Sequence, residues 1–558
     1  MFSRMRMLGI ASAAVLVALL GLTLSLSPAV QAQGGATGTP NRLQMTLTAI
    51  KAIPTIAATA TPAVHAADAA TSWFENSTGY LLFVRSFRDT NGDGIGDLKG
   101  VIEGLDYLQG LGVNLIWLMP VWAGPTYHGY AVTDYYAVNP QYGTNDDLIA
   151  LFKEAHRRGM YIILDFVLNH SSNQHPFFKD AYNNPNSPYS SFYRWRNAAH
   201  TQYDTFGGFG ELPQLNYTTP AVRAYTTALA RYWLDPNADG DFSDGADGYR
   251  LDAVKFVPSN YLTELRGAVS ALNPQALLLG EVWDEPSLIA RFLNGASLHA
   301  AFDFPTFYAL AGNETSVGRG ALNGENTATL SFITYLMETS IAPQTRLVRF
   351  VNNHDTNRLM SFVKEDMPRA RAAAVWLLTA PGVPFLYYGE EIGMSGVKGI
   401  GPFYDEYRRE PLEWTAAGDD DATTRWFTPP NRNNAPNDGV SVGEQDTTPD
   451  SLLNLYRTLG KLRQKSAALR RGNFFYEERS PYILRRWAAD DPTLYVIVIN
   501  FGTAPASITD VRPFGQLADR AFAPRWEVLL QEGATFSGEN SLTLAPSGYT
   551  ILTFTETK

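Results

Sequence analysis

The 558-residue chain has no cysteine, so a disulfide, a thiolate nucleophile, an iron–sulfur cluster and a cysteine-held zinc are all excluded. It has no basic excess either. The formal net charge is −11, which argues against a binder of nucleic-acid phosphates. Charged residues make up only 18% against 45% hydrophobic, a globular balance that excludes wholesale disorder and a multi-span membrane protein. No repeat recurs at solenoid or propeller spacing. What is abundant is aromatic: 12% of the chain, including 11 Trp and 28 Tyr, enough for a core and for rings that stack on flat apolar faces such as those of sugars.

Arg4 and Arg6 precede an apolar run from Leu8 to Leu26, followed by Pro28 and Val30-Gln31-Ala32. A basic region, an apolar stretch and small residues at the exit describe a secretory signal over residues 1–32, cleaved after Ala32; an uncleaved anchor is the alternative. The protein is expected outside the cytoplasm, in the medium or the periplasm. Residues 33–72 are rich in Ala, Thr and Pro and read as a disordered linker.

From Trp73 onward short β-rich runs alternate with helical patterns. The expected strands are Tyr80–Val84, Leu115–Met119, Tyr161–Phe166, Gly248–Leu251, Leu277–Glu281, Ala301–Phe302, Arg349–Asn352 and Phe385–Tyr388. Helical stretches such as Asp146–Arg158, Pro220–Leu234 and Met367–Leu378 lie between them. Eight strands parted by helices predict a closed (β/α)8 barrel over residues 73–170 and 217–466. About 80 residues separate the third and fourth strands, so residues 171–216 read as an inserted loop domain. After the amphipathic run Ser451–Leu469 the period changes. Residues 467–558, with strands near Leu494–Asn500, Trp526–Leu530 and Tyr549–Phe554, predict an antiparallel C-terminal domain of β-sandwich type.

In such a barrel the reactive groups stand at the carboxyl ends of the strands. Those ends read Asp165-Phe-Val-Leu-Asn169-His170 on the third, Gly248-Tyr-Arg250-Leu-Asp252 on the fourth, Gly280-Glu281-Val-Trp283 on the fifth and Asn352-Asn353-His354-Asp355 on the seventh. A lone strand-end carboxylate is usually a cap or a surface residue. Asp252, Glu281 and Asp355 on three strands, with Arg250 and His354 beside them, are expected to converge on one mouth.

These segments resemble the short motifs of the α-amylase superfamily, glycoside hydrolase family 13. So do Gly112-Val-Asn-Leu-Ile-Trp117-Leu-Met-Pro120, Tyr127-His128-Gly-Tyr130 and Pro384-Phe-Leu-Tyr-Tyr-Gly-Glu390, and the likeness runs from about residue 78 to 480. It implies a retaining mechanism: Asp252 as nucleophile, Glu281 as acid and then base about 5–5.5 Å away, and Asp355 as the acid that grips sugar hydroxyls and the transition state. Arg250 is expected to keep Asp252 ionised, and clustered carboxylates to raise the pKa of Glu281. His128, His170 and His354, Tyr130 and Lys255 match sugar-binding positions.

The loop Asp89-Thr-Asn91-Gly-Asp93-Gly-Ile95-Gly-Asp97 spaces oxygen ligands as a short loop around a hard cation does. It resembles a calcium loop of the family, which implies a structural Ca2+ held by Asp89, Asn91, Asp93, Asp97 and the Ile95 carbonyl. Asp235-Pro-Asn237-Ala-Asp239-Gly240-Asp241-Phe-Ser-Asp244 repeats the pattern, either for a second ion or as a solvated acidic turn. Gln214 stands where many α-amylases carry an Asp that ligates an interdomain calcium, and Phe256 where they often carry His. Tyr127 replaces the acidic residue that exo-acting α-glucosidases place three before the subsite Tyr. The resemblance therefore implies a secreted, monomeric α-amylase cutting internal α-1,4 bonds of starch-like glucans, with no nucleic-acid partner. An α-glucosidase or a transglycosylase is the alternative, and an inactive sugar-binding relative a remote one.

Overall fold

A computed structural model describes residues 69–556, apart from 313–318, 326, 342–345, 402, 419, 478–479, 513–521, 523–524 and 538–539. The expected signal and most of the linker, residues 1–68, lie outside the described residues. The end of the expected linker is a correction, because Ala69–Phe74 is helical. Phe74 is buried and the Trp73 ring stacks on Tyr161 at 4.1 Å, and this packing orders the segment.

Eight parallel strands close the barrel: β1 Gly79–Leu82, β2 Leu115–Leu118, β3 Tyr161–Phe166, β4 Gly248–Leu251, β5 Leu277–Gly280, β6 Ala300–Phe302, β7 Leu347–Arg349 and β8 Val383–Tyr387. They neighbour one another in chain order and β8 returns to β1 through Tyr80↔Leu386. All but Tyr161 of these residues are buried, as a sheet covered on both faces requires. β4 opens on Gly248 at φ +143°, where a Cβ would meet the Leu277 carbonyl at 2.1 Å, so the β4–β5 pairing needs glycine there. β7 begins two residues and ends three residues before its expected bounds. Val348 pairs with Val383, whereas Asn352 has left the ladder and accepts the Leu359 N–H. The apolar run Phe350-Val351 extends the strand-like pattern past the point where the chain departs for the site.

The helices end where their signals say. Thr144 caps Asn145–Arg157 in a reciprocal box with Asp147, and Asp366 caps Met367–Thr379, which has proline in its first turn. Residues 171–216 form the insertion, an irregular unit with one short helix, Pro176–Ala181, and bridges such as Tyr193↔Leu215 and Thr205↔Pro213. Its core is aromatic, with Phe177 stacked on Tyr189 at 3.9 Å. The amphipathic run 451–469 divides into helices Leu452–Lys465 and Ala467–Arg471.

The C-terminal strands are β9 Asn473–Glu477, β10 Tyr482–Ala488, β11 Asp491–Ile499, β12 Ala506–Ile508, β13 Glu527–Ser537 and β14 Ser541–Thr555. They make one antiparallel sheet rather than the expected two-sheet sandwich. β14 is long enough to pair β13 along one edge and both β11 and β12 along the other. One face, with Leu484, Ile497 and Ile551, joins the barrel core; the other, with Val496, Val498 and Leu552, encloses a second cluster. Two guanidiniums secure the junction, Arg463 from the helix Leu452–Lys465 and Arg486 from the sheet itself. Arg463 donates to the carbonyls of Gly382 and Leu469, each at 2.7 Å, and of Leu378 at 3.3 Å. Arg486, on β10, donates to Thr379 O at 2.7 Å and Leu469 O at 3.0 Å. Both are fully buried. Placing cations on the last carbonyls of helix Met367–Thr379 satisfies acceptors that the helix leaves open and matches the sign of its dipole.

Candidate active site

At the carboxyl ends of the strands lies a cavity of about 1070 Å3, and Asp252, Glu281 and Asp355 all line it. Arg250, on β4, organises two of these acids. Its Nη1 lies 2.7 Å from Asp252 Oδ1 and its Nη2 3.0 Å from Glu281 Oε1, so neighbouring prongs of one guanidinium hold both carboxylates. Nη1 also reaches Asp165 Oδ1 at 2.9 Å. The guanidinium lies 4.8 Å from the ring of Trp117, which packs against Phe302 and Phe385 in the barrel interior. Such planar, forked recognition is beyond a lysine.

The chain leaves β4 through a strained residue. Ala253 takes the left-handed conformation, φ 46° and ψ 34°, at a cost of roughly 1–2 kcal/mol for a residue with a Cβ. The strain turns its N–H onto Glu281 Oε2 at 2.8 Å. Burial lifts the Glu281 carboxyl well above the usual carboxylate range; Arg250 opposes the rise, and Asp252 and Asp355 add to it. A raised carboxyl beside a second, guanidinium-bound carboxylate is the division of labour of an acid and a nucleophile.

Asp355 is held differently. Burial opposes its ionisation, yet its pKa lies below the usual range, lowered by its contact with His354 and by the guanidinium of Arg409. His354 Nε2 is 3.0 Å from Asp355 Oδ2 and Arg409 Nη2 3.1 Å from Oδ1. Burial favours neutral His354, so the guanidinium of Arg409 is the charge that keeps Asp355 ionised. Asp355 keeps 31% of its side-chain surface open to the cleft, as a group that meets a ligand must.

The remaining expected residues surround these acids. Tyr130 is nearly parallel to His354 (10°, centroids 5.7 Å apart), and its hydroxyl donates to Asp165 at 3.0 Å and lies 2.7 Å from His354 Nε2. His170 Nε2 lies 3.2 Å from the Tyr130 carbonyl, and His128 Nδ1 accepts the Tyr130 N–H at 3.1 Å. Burial lowers His128 to about 3 and also lowers His170, so both enter as neutral hydrogen-bonding groups. Lys255 donates to the Trp283 carbonyl at 2.7 Å and to Asp284 at 3.2 Å, on the Glu281 side of the cavity. His128, Tyr130, His170 and Lys255 line the cavity directly. Sequence reasoning missed Asp165, Arg408 and Arg409. Asp165, quoted at the end of the third strand without a role, was signalled by a charge inside the otherwise apolar strand Tyr161–Phe166; the two arginines sit on a 3-10 turn, Asp405–Arg408, and its end, where no strand-end rule points.

The residues expected to hold calcium lie in a loop already folded by its own side chains. Asp89 accepts the N–H groups of Asn91, Gly92 and Gly94, Asn91 Oδ1 that of Asp93, and Asp93 Oδ1 that of Ile95. Asp97 caps the following helix through Gly100 N at 2.8 Å and accepts Thr90 N at 2.9 Å. The 235–244 loop repeats the pattern with Asp235, Asn237 and Asp239 as acceptors. Among the described residues no three Asp, Glu or His side chains gather closely enough to hold a metal alone, so a cation at 89–97 would also need Asn91 and the Ile95 carbonyl. Gln214 is committed elsewhere: its Oε1 accepts Arg194 at 3.3 Å, and a guanidinium there disfavours a cation.

A closed parallel barrel with paired acids at its mouth defines a class of enzymes that act on glycosidic bonds. Residues 81–472 match the family model described as alpha amylase, catalytic domain, and the chain belongs to that family, glycoside hydrolase family 13. It is 34% identical over 419 residues to "Alpha-amylase 3" of Dictyoglomus thermophilum, covering 72% of this chain and 79% of that one. It is 32% identical over 483 residues to "Trehalose synthase/amylase TreS" of Mycolicibacterium smegmatis, covering 72% and 78%. The crystal structure of the alpha-amylase from H. orenii superposes with a TM-score of 0.71 at 31% identity, over 86% of this chain and 99% of that one.

Proposed function

We propose that the protein is a secreted α-amylase that hydrolyses internal α-1,4 bonds of starch-like glucans by double displacement. The observation that carries this is the sharing of one Arg250 guanidinium by Asp252 and Glu281 inside one cavity. Asp252 attacks the anomeric carbon while Glu281 protonates the departing oxygen; Glu281 then deprotonates the water that frees the sugar. Asp355 and the neutral histidines bind the hydroxyls of the ring undergoing attack. Tyr127 supports cutting within chains: its ring lies beside Arg409 (5.8 Å) and stacks on Trp426 at 5.2 Å, with no carboxylate at that position to grip a chain end. Chromatography of maltopentaose digests tests this. Mixed maltose and maltotriose are expected, and glucose as sole product would overturn the internal cut. Transfer to a sugar is the second reading, favoured by the exposed rings of Phe209 and Phe256 at the cavity.

Ca2+ belongs to the proposal as a structural ion at 89–97, where Asp89, Asn91, Asp93, Asp97 and the Ile95 carbonyl would hold it, with the 235–244 loop as a second candidate. A chelator is expected to lower Tm by about 1–2 °C, the effect of one or two kcal/mol of lost binding in a chain whose unfolding entropy is about 1 kcal/mol/K. An unchanged Tm would remove the ion.

A further inference from the structure

Asp355 does not stand on a strand. β7 ends at Arg349 and the acid follows six residues later, in a loop. A carboxylate that must meet a transition state from a loop needs supports outside its own turn. Its own loop gives one, the Asp355 N–H donated to Asn353 Oδ1 at 2.9 Å. Arg408 gives two more: Nη1 donates to the Asp355 carbonyl at 2.6 Å and Nε to Asn357 Oδ1 at 3.1 Å, so the loop is gripped at the acid and two residues beyond it. Arg408 is 1% exposed and itself anchored, for its carbonyl accepts the Tyr387 hydroxyl of β8 at 3.0 Å and Arg358 Nε at 2.9 Å. Asp405 Oδ1 lies 3.2 Å from the same Nη1. The chain of contacts runs from β8 through Arg408 to the backbone of Asp355.

We infer that Arg408 is a positioning residue, a strut that fixes the Asp355 backbone so that its carboxylate meets the reacting sugar. The inference rests on the reading of Asp355 as the transition-state acid. A neutral or shorter side chain releases the carbonyl while Arg409 still pairs the carboxylate, so the acid stays charged but loses its fixed direction. Contacts that strengthen in the transition state then weaken more than those in the ground state, and the loss falls on kcat rather than KM.

The test compares R408M, R408K and N357A with D355N on maltopentaose. R408M is expected to lower kcat about 30-fold with KM within about twofold, as loosened geometry does. R408K, which keeps one donor, is expected to recover about half of that loss on a logarithmic scale. N357A removes the other grip without touching Asp355 and is expected to lower kcat about threefold at constant KM. A cationic amino-sugar inhibitor should bind R408M more weakly by the same factor as kcat, while maltose inhibition stays unchanged. Wild-type kcat in folded R408M overturns the strut, as does a loss confined to Tm. If R408M does not fold, N357A decides alone: a kcat loss at constant KM supports the strut and an unchanged kcat overturns it. Full turnover in D355N would instead remove the role of Asp355, a separate failure.

Discussion

Asp252→Asn is expected to fold, to bind glucan and to lose turnover by about 10^4-fold or more, the scale of removing a nucleophile that works as part of a unit. The substitution keeps shape, so the buried side chain still fits between Arg250 and the cavity wall. What disappears is the charge that attacks the anomeric carbon; an amide oxygen is too weak a nucleophile, and nothing else lining the cavity is a carboxylate in its position. Arg250 keeps Asp165 and Glu281 as partners, which limits the structural damage. Removing Asp252 also removes one of the charges that raise Glu281. The measurements are kcat on soluble starch and a thermal melt on the same preparation. A melt like the wild type's together with near wild-type kcat would end the assignment.

Glu281→Gln carries the second largest effect, a fall in kcat on starch of about 10^3-fold, within the range of general acid catalysis. Its signature is selective. A substrate whose leaving group needs no proton, such as α-glucosyl fluoride, should lose far less in its first step. The pH dependence follows from the raised pKa. The acid form is the active form, so wild-type kcat/KM holds while pH stays below the pKa of Glu281 and falls as pH rises through it. At the low-pH end, Asp355 is held ionised below the usual carboxylate range and does not set the acidic limb at moderate pH. A side-chain amide does not titrate, so the residual activity of the variant should lack the alkaline limb. An alkaline limb that survives unchanged in E281Q belongs to another group and would displace Glu281 from the acid's role.

Much of this was legible in the chain. β3 and β4 begin and end where alternation and turn residues place them, and the three acids, Arg250 and His354 could be named because barrel chemistry collects at strand ends. The rest depends on distance. That Arg250 serves three carboxylates follows from the closing of the barrel, which no local spacing encodes. Carboxylate clustering was readable as a cause of the raised Glu281, but burial is the larger one, and burial belongs to the folded site. Arg408 and Arg409 reach Asp355 across more than fifty residues from a turn without periodic pattern. The single C-terminal sheet escaped notice because β14 changes partners midway along its length, which composition does not reveal.

The match to the catalytic-domain model ends at residue 472, just before β9, but the packing does not. A chain severed there would keep Arg463 and forfeit Arg486, taking from the Thr379 carbonyl its 2.7 Å donor and baring the apolar side of the barrel that Leu484 and Ile551 now shield. The catalytic-domain model and the packed core therefore draw different borders on this polypeptide, because the core that encloses the barrel takes in side chains from β10 and β14.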